Sequence, residues 1–213
     1  MAIRLSTPSK MKGTCKTWSL QAIETCPGSM GDNGELVEAC QNCYATKGFY
    51  SMPTVKEPRA ENKKDWKREE WVSDFVKILS KQKHFRFFDS GDMYSLLLAH
   101  KMYKVIKQSP HCKFWIPTRQ GKFPKFAEII AKMEKLPNCV VRQSSDSVSG
   151  KTIKGKTTST IISTDQQTKT ASKRKNTHIC PATIPGNKPN CKANNCQACW
   201  DKNTNCWRYQ IQI

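Results

Sequence analysis

Cys26, Cys40 and Cys43 lie within TCPGSMGDNGELVEACQNCYA, with the spacing Cys-x13-Cys-x2-Cys. Two thiols two residues apart can turn toward one iron–sulfur cube or one zinc ion, and a third from further off can fill another corner. Three thiolates on a four-iron cube leave one iron open to a small ligand. A structural zinc ion completed by a fourth residue is the plainer reading of the same spacing.

A second group, Cys180, Cys191, Cys196 and Cys199, is spaced Cys-x10-Cys-x4-Cys-x2-Cys, with Cys206 as a further candidate. Four thiols in twenty residues point to metal, and zinc ribbons and iron–sulfur sites both use such sets. Cys15, Cys112 and Cys139 have no partner at ligand spacing and read as small core or surface residues. Of the histidines 84, 100, 111 and 178 none is paired, and His178, two residues before Cys180, is the reserve ligand.

Residues 150–157, GKTIKGKT, match the phosphate-cradling pattern Gly-x4-Gly-Lys-Thr. That pattern needs a following helix to present its N-terminal amides, and the next residues, TSTIIST, are β-branched. A basic loop is therefore expected there. Asp92, after Ser90 and Gly91, reads equally as a helix N-cap or as a group that binds a ligand's amine. Arg119 could clamp a carboxylate or phosphate, or stand solvated.

These residues need elements to position them, and apolar periodicity supplies an alternation of strand and helix. Trp71, Phe75, Ile78 and Leu79 share a helical face, with charged residues 61–70 leading in. HFRFFD (84–89) reads as a strand, and Leu98, Met102, Val105 and Ile106 mark a second helix. KFWIP (113–117) is the next strand, followed by a helix carrying Phe126, Ile129, Ile130 and Met133. Short β-prone runs at 18–20, 139–141, 160–162 and 178–180 bring the strands to about six. The expectation is an α/β fold with a parallel sheet or partial barrel over residues 1–179, interrupted by a basic excursion near 150–175. A Cys-rich, metal-binding cap follows over 180–213. Such folds place chemistry at the carboxyl ends of strands, which would gather Cys26, Asp92, Arg119, Ser144 and Cys180 on one rim.

The chain has 213 residues, eleven cysteines and a formal charge of +19. Its mean hydropathy is −0.67, and no run approaches the roughly 20 apolar residues of a membrane span. No secretory leader or lipidation motif is visible, so a cytoplasmic location is expected, where spaced cysteines signify metal more than disulfides. The charge suits nucleic acid or anionic substrates, although Lys outnumbers Arg 28 to 8, and specific phosphate and base readout favours Arg.

SLQAIETCPGS, CQNCYATKGFY with Arg59 and Asn62 after it, FFDSGDMYS, FWIPTR and the closing CPA with Cys-x4-Cys-x2-Cys-Trp together carry a resemblance. The chain resembles the gene product 88 domain family of tailed bacteriophages, whose members look like distant relatives of radical SAM proteins. The resemblance implies a partial (β/α)6 barrel with a [4Fe–4S] cluster on Cys26, Cys40 and Cys43 after the first strand, and a host-cell cytoplasmic setting. It implies that S-adenosylmethionine would chelate the open iron, with Ser90, Gly91 and Asp92 at the second strand and Thr118 and Arg119 at the third. An electron donor would then be a partner. The superfamily's Cys-x3-Cys-x2-Cys has become Cys-x13-Cys-x2-Cys here, and its Gly-Gly-Glu-Pro motif is absent. Two alternatives stand beside a radical enzyme: a non-catalytic protein whose fourth iron is closed by a C-terminal cysteine, and a zinc-stabilised nucleic-acid-binding protein. The C-terminal cysteines would hold a second [4Fe–4S] cluster or, as the alternative, a zinc ion.

Overall fold

The computed structural model describes residues 3–164, 167, 169, 173 and 175–209. Its strands are β1 (Leu5–Ser6), β2 (Lys16–Trp18), β3 (His84–Phe87), β4 (Lys113–Thr118), β5 (Cys139–Ser144), β6 (Thr158–Ile162), β7 (Thr177–Ile179) and β8 (Asn205–Tyr209). The helices are α1 (Glu38–Gln41), α2 (Pro53–Asp65), α3 (Trp71–Leu79), α4 (Leu96–Lys107) and α5 (Ala127–Lys135). The strands form one sheet in the order β1-β2-β3-β4-β5-β6-β8-β7. The β1–β2 pair is antiparallel and every other pair is parallel.

From β2 to β6 each strand is laid beside the one before it. Right-handed crossovers that always step in the same direction put their helices on one face. Side-chain alternation agrees with this. Trp18, Phe85, Phe87, Phe114, Ile116, Cys139 and Val141 point to the helical side and join Trp71, Phe75, Leu98, Met102, Ile129 and Met133 in the main core. Phe75, Phe85, Phe87 and Phe114 meet there with ring centroids 5.2–6.0 Å apart. The other face carries Arg86, Trp115 and Arg142. It is covered by a second apolar group of Met11, Cys15, Trp115, Cys191 and Trp200, against which Cys199 packs.

The α3, α4 and α5 helices and strands β2 to β5 lie where apolar periodicity puts them. Besides the four-residue α1, three elements were not expected. The α2 helix has no apolar stripe, because the residues it buries are Arg59, Asn62 and Asp65. The amide nitrogen of Asn62 donates to the carbonyls of Arg4 and Ser19, which ties α2 to β1 and to the end of β2. The two-residue β1 is too short to show a period. The β8 strand lies inside the region expected to be only a metal cap, and inserts between β6 and β7.

Residues 150–157 form a loop that runs directly into β6, so a strand stands where the phosphate-cradling pattern needs a helix. Part of the basic excursion, residues 165, 166, 168, 170–172 and 174, lies outside the described residues, as do 210–213 of the cap.

Candidate metal centre

Cys26 is reached from β2 through a turn that locks onto the loop after β3. Ser90 donates to the carbonyl of Leu20 at 2.6 Å, and the amide of Leu20 donates back to the Ser90 carbonyl. Gly91 adopts φ +77°, and a Cβ there would stand 2.6 Å from both Leu20 Cβ and Thr25 Oγ1. Only glycine meets both demands.

The loop after β4 closes on the same place. Asp92 is buried, and its carboxylate accepts from Thr118 Oγ1 at 2.7 Å, Arg119 N at 2.9 Å and Met93 N at 2.8 Å. Burial pushes the Asp92 carboxyl up, and those three donors oppose the shift. Gly28, two residues after Cys26, presses on Arg119, since a Cβ there would fall 2.6 Å from Arg119 Cβ. Lys122 donates to the Gly28 carbonyl at 2.9 Å.

The loop after β5 holds Cys40. Ala39 N donates to the Asp146 carbonyl at 2.8 Å, and Glu38 accepts from Val148 N at 3.1 Å. Asp146 pairs with Arg119 at 3.2 Å and with Lys122 at 2.6 Å, while Arg119 also donates to the Ser145 carbonyl at 2.9 Å. Loops after four successive strands thus meet around α1 and the Cys26 turn, as expected of carboxyl ends in a parallel sheet.

The segment after Cys43 is strapped down by tyrosines. Tyr44 donates to the Asp89 carbonyl and Tyr50 to the Asp89 carboxylate. That carboxylate also pairs with Arg86 at 3.0 Å, on side chains that are each under 10% exposed. Arg59 stacks on Tyr50 at 4.6 Å from the ring centre. Arg86 lies over Trp115 at 4.3 Å. Tyr44, Tyr50, Asp89, Lys122 and Asp146 support the site without standing out individually in the sequence. The one available signal was the conjunction of CYATKGFY with an Arg on a polar helix.

The three cysteines are electrostatic neighbours. Burial pushes the Cys26 thiol up to about 12, with Asp92, Cys40 and Cys43 adding to the shift. Burial also raises Cys40, against which the Arg119 and Lys122 charges act. Thiols so buried ionise only when a positive centre compensates them, which a metal does. Among the described residues no three His, Cys, Asp or Glu side chains are closed as tightly as a single ion would hold them. A cubane holds its cysteines wider apart, because each binds a different iron. In type and number the donors Cys26, Cys40 and Cys43 fit that group.

The C-terminal cysteines form a separate gathering. Trp200 packs on His84 and Trp115 and donates to the Phe85 carbonyl at 3.1 Å. Lys202 donates to the carbonyls of Glu134 and Leu136, just before β5. This segment therefore lies toward the amino ends of β3 to β5. Cys206 is beside Cys199 and Cys180, and Cys196 beside Cys199 and Cys180; a hydrogen bond with Cys199 and then burial raise the Cys206 thiol, and burial raises that of Cys196. His178 Nε2 lies 3.1 Å from Cys196 Sγ. Cys191 packs with Cys15, Trp115 and Trp200. Cys15, which showed no partner by spacing, is thus beside Cys191 and Cys199, and its thiol is pushed up to about 12, first by burial. Cys112 and Cys139 lie in the main core.

A family model described as Gene product 88 matches residues 2–202 of the chain. No curated protein and no solved structure gave a match. Among the described residues no helix is long and apolar enough to cross a membrane.

Proposed function

Since the chain belongs to the gene product 88 family, we propose that it is a phage iron–sulfur protein carrying a [4Fe–4S] cluster on Cys26, Cys40 and Cys43. The observation that carries this reading is the meeting of those three thiols, from two separated segments, with Asp92, Arg119 and Lys122 at the carboxyl ends of consecutive parallel strands. A sheet whose strands step in one direction, with helices on one face, supports a partial (β/α)6 barrel of the radical SAM kind.

When bound, a three-cysteine cluster supplies one electron to a ligand chelated at its open iron, which is the basis for a radical-SAM-like activity. The chain's own residues hold and shape that place. Ser90 and Gly91 fix the turn into Cys26. Asp92 fixes Thr118 and the Arg119 backbone, and so aims the Arg119 guanidinium across the rim. That cation and Lys122 offset the negative charge of the thiolates and offer an anchor for the carboxylate of S-adenosylmethionine. Exposed Phe49 and Met52, shortly after Cys43, offer an electron donor an apolar footing.

One observation favours a second reading, a cluster without catalysis. Asp92 already accepts three bonds and Arg119 is already tied to Ser145 and Asp146. Adding S-adenosylmethionine to the reduced protein separates the two. A changed cluster EPR spectrum supports an open iron, and an unchanged one supports the closed cluster. Iron and acid-labile sulfide after anaerobic purification test the cluster itself; a colourless protein holding only zinc overturns it. The basic surface supplies steering for a nucleic-acid substrate, and binding that weakens steeply with salt is the expected sign.

A further inference from the structure

The sheet has a second edge, opposite the rim, and its strands are entered through lysines. In sheet order from β3 to β7, a lysine stands at the start of each strand or within four residues before it: Lys83, Lys113, Lys135, Lys156, Lys202 and Lys175. Every pair among these strands is parallel, so six amino ends lie along one side. Neighbouring strands stand about 4.8 Å apart, which makes the row roughly 24 Å long. Lys83, Lys113, Lys135, Lys156 and Lys175 are exposed, and Lys202 is half-buried.

Neighbouring acids do not balance these cations. The segments leading into the strands, 80–83, 108–113, 134–138, 151–157, 175–176 and 201–204, hold nine lysines and two acids, Glu134 and Asp201. Both acids are engaged. Glu134 pairs with Lys156 at 3.4 Å, and Asp201 accepts from Thr204 Oγ1 at 2.6 Å and from Asn203 N at 2.9 Å. Among the described residues Lys83, Lys113, Lys135 and Lys175 form no ion pair. The opposite edge differs: residues 19–37, 88–95 and 145–149, which follow β2, β3 and β5, carry six acids and no Lys or Arg. The charge of +19 is therefore not an even coat. Helix C-termini attract cations, which accounts for Lys135 at the end of α5. It does not account for Lys156 and Lys202, because segments 145–157 and 180–204 contain no α-helix.

The same edge is indented. A cleft of about 430 Å3 opens between His84, Lys113 and Trp200, and a second of about 410 Å3 between Lys154, Lys156, Asn176 and Asn205. The Lys202–Asn203 turn borders both, so the two adjoin along the row. We infer that this edge binds a nucleic-acid duplex by its phosphate backbone, without reading sequence. A line of single cations on flexible stems suits a regular line of phosphates, and its length of roughly 24 Å matches about seven base pairs. Lysine meets phosphate as a point charge, whereas base readout favours Arg forks, which these segments lack. Trp200, the aromatic residue lining the clefts, is buried and offers no stacking platform for a single strand. Among the described residues Ile153 is the one large apolar side chain exposed on these segments, too little to enter a membrane surface. The row lies at the strand ends opposite Cys26, Cys40 and Cys43. It is a docking surface, beyond the steering of a substrate to the rim, and it does not depend on the cluster.

Fluorescence anisotropy of a random-sequence DNA duplex, titrated with the full-length protein over a range of salt concentrations, tests it. The triple variant Lys113→Gln, Lys135→Gln, Lys175→Gln should bind at least about tenfold more weakly at low salt, with a salt slope smaller by about 2–3, roughly one per lysine. A control of equal net charge, Lys56→Gln, Lys64→Gln, Lys67→Gln, removes exposed lysines on and just after α2 and should keep the wild-type slope. Should the first triple variant fail to fold, acetylation of wild-type lysines with and without the duplex gives a second measurement. Lys113, Lys135 and Lys175 should then be protected, while Lys56 and Lys64 react as before. No binding at low salt, equal losses from the two triple variants, or protection of the α2 lysines instead would each overturn the assignment. So would a single strand bound as tightly as the duplex, or phosphatidylserine vesicles bound more tightly than it.

Discussion

The two cysteine groups of this chain are built from different surroundings. Cys26, Cys40 and Cys43 sit in loops and a four-residue helix over the ends of the strands, with Arg119, Lys122 and Asp146 beside them. Cys180, Cys196, Cys199 and Cys206 lie against the sheet, on strand ends and a turn gripped by a fully buried arginine. Loops over a rim leave room for a ligand, whereas strands and a clamped turn hold their thiols against the sheet. The same residue type therefore stands in two different settings, and the difference lies in what holds the backbone.

Breaking the rim group should show most. Cys40→Ser or Cys43→Ser is expected to abolish the iron and sulfide content and the brown colour, with far-UV circular dichroism unchanged, because the loops there rest on Asp92, Asp146 and Tyr50 rather than on metal. Loss of helix and strand signal together with the iron would mean that the rim is structural after all.

Breaking the clamp should instead cost stability. Arg142→Met removes the donor to four carbonyls and the cation facing the thiols, and should lower unfolding free energy by roughly 3 kcal/mol or more in denaturant titration. An unchanged midpoint would show that those carbonyls are satisfied elsewhere. Tyr50→Phe sharpens the contrast on the rim side. It deletes one hydrogen bond to the Asp89 carboxylate, worth about 1.5–3 kcal/mol, and should loosen the segment after Cys43, so that a chelator strips iron faster than in the wild type. Equal stripping rates would remove the tyrosine strap from the account.

The smallest effect concerns pH. Burial, then Lys113 and Lys83, hold His84 below its usual value of 6.5. The unfolded chain then binds more protons than the folded one at pH below 6.5, so stability falls as pH drops through that range. His84→Gln should flatten the change in thermal midpoint between pH 7 and pH 5. A slope as steep as in the wild type would assign the effect to another group.

The parallel core was legible because its residues alternate and repeat as apolar patterns demand. Trp71, Phe75 and Leu79 read as a helical face and are fully buried, and FWIP reads as a strand. The α2 helix escaped because it buries Arg59, Asn62 and Asp65, which form a face through hydrogen bonds and stacking that no hydropathy pattern encodes. The β8 strand escaped because NCWRY holds no β-branched residue and closes a segment whose cysteine spacing reads as metal ligation. At the rim, spacing grouped Cys26, Cys40 and Cys43, and strand-end reasoning put Asp92 and Arg119 beside them, where they stand. Their partner Asp146, and the tie between Tyr50 and Asp89, depend on contacts across 27 and 39 residues, which local patterns do not carry. Cys206 and His178 were reserve candidates by spacing, and only strand register sets them opposite one another.

The most direct measurement is iron and sulfide analysis, with Mössbauer spectroscopy, of anaerobically purified wild type, Cys40→Ser and Cys206→Ser proteins. The account predicts a [4Fe–4S] signal in the wild type, its loss in Cys40→Ser and its retention in Cys206→Ser. A wild type without iron and sulfide, or a cluster lost from Cys206→Ser and kept in Cys40→Ser, would contradict the assignment of the cluster to the rim group.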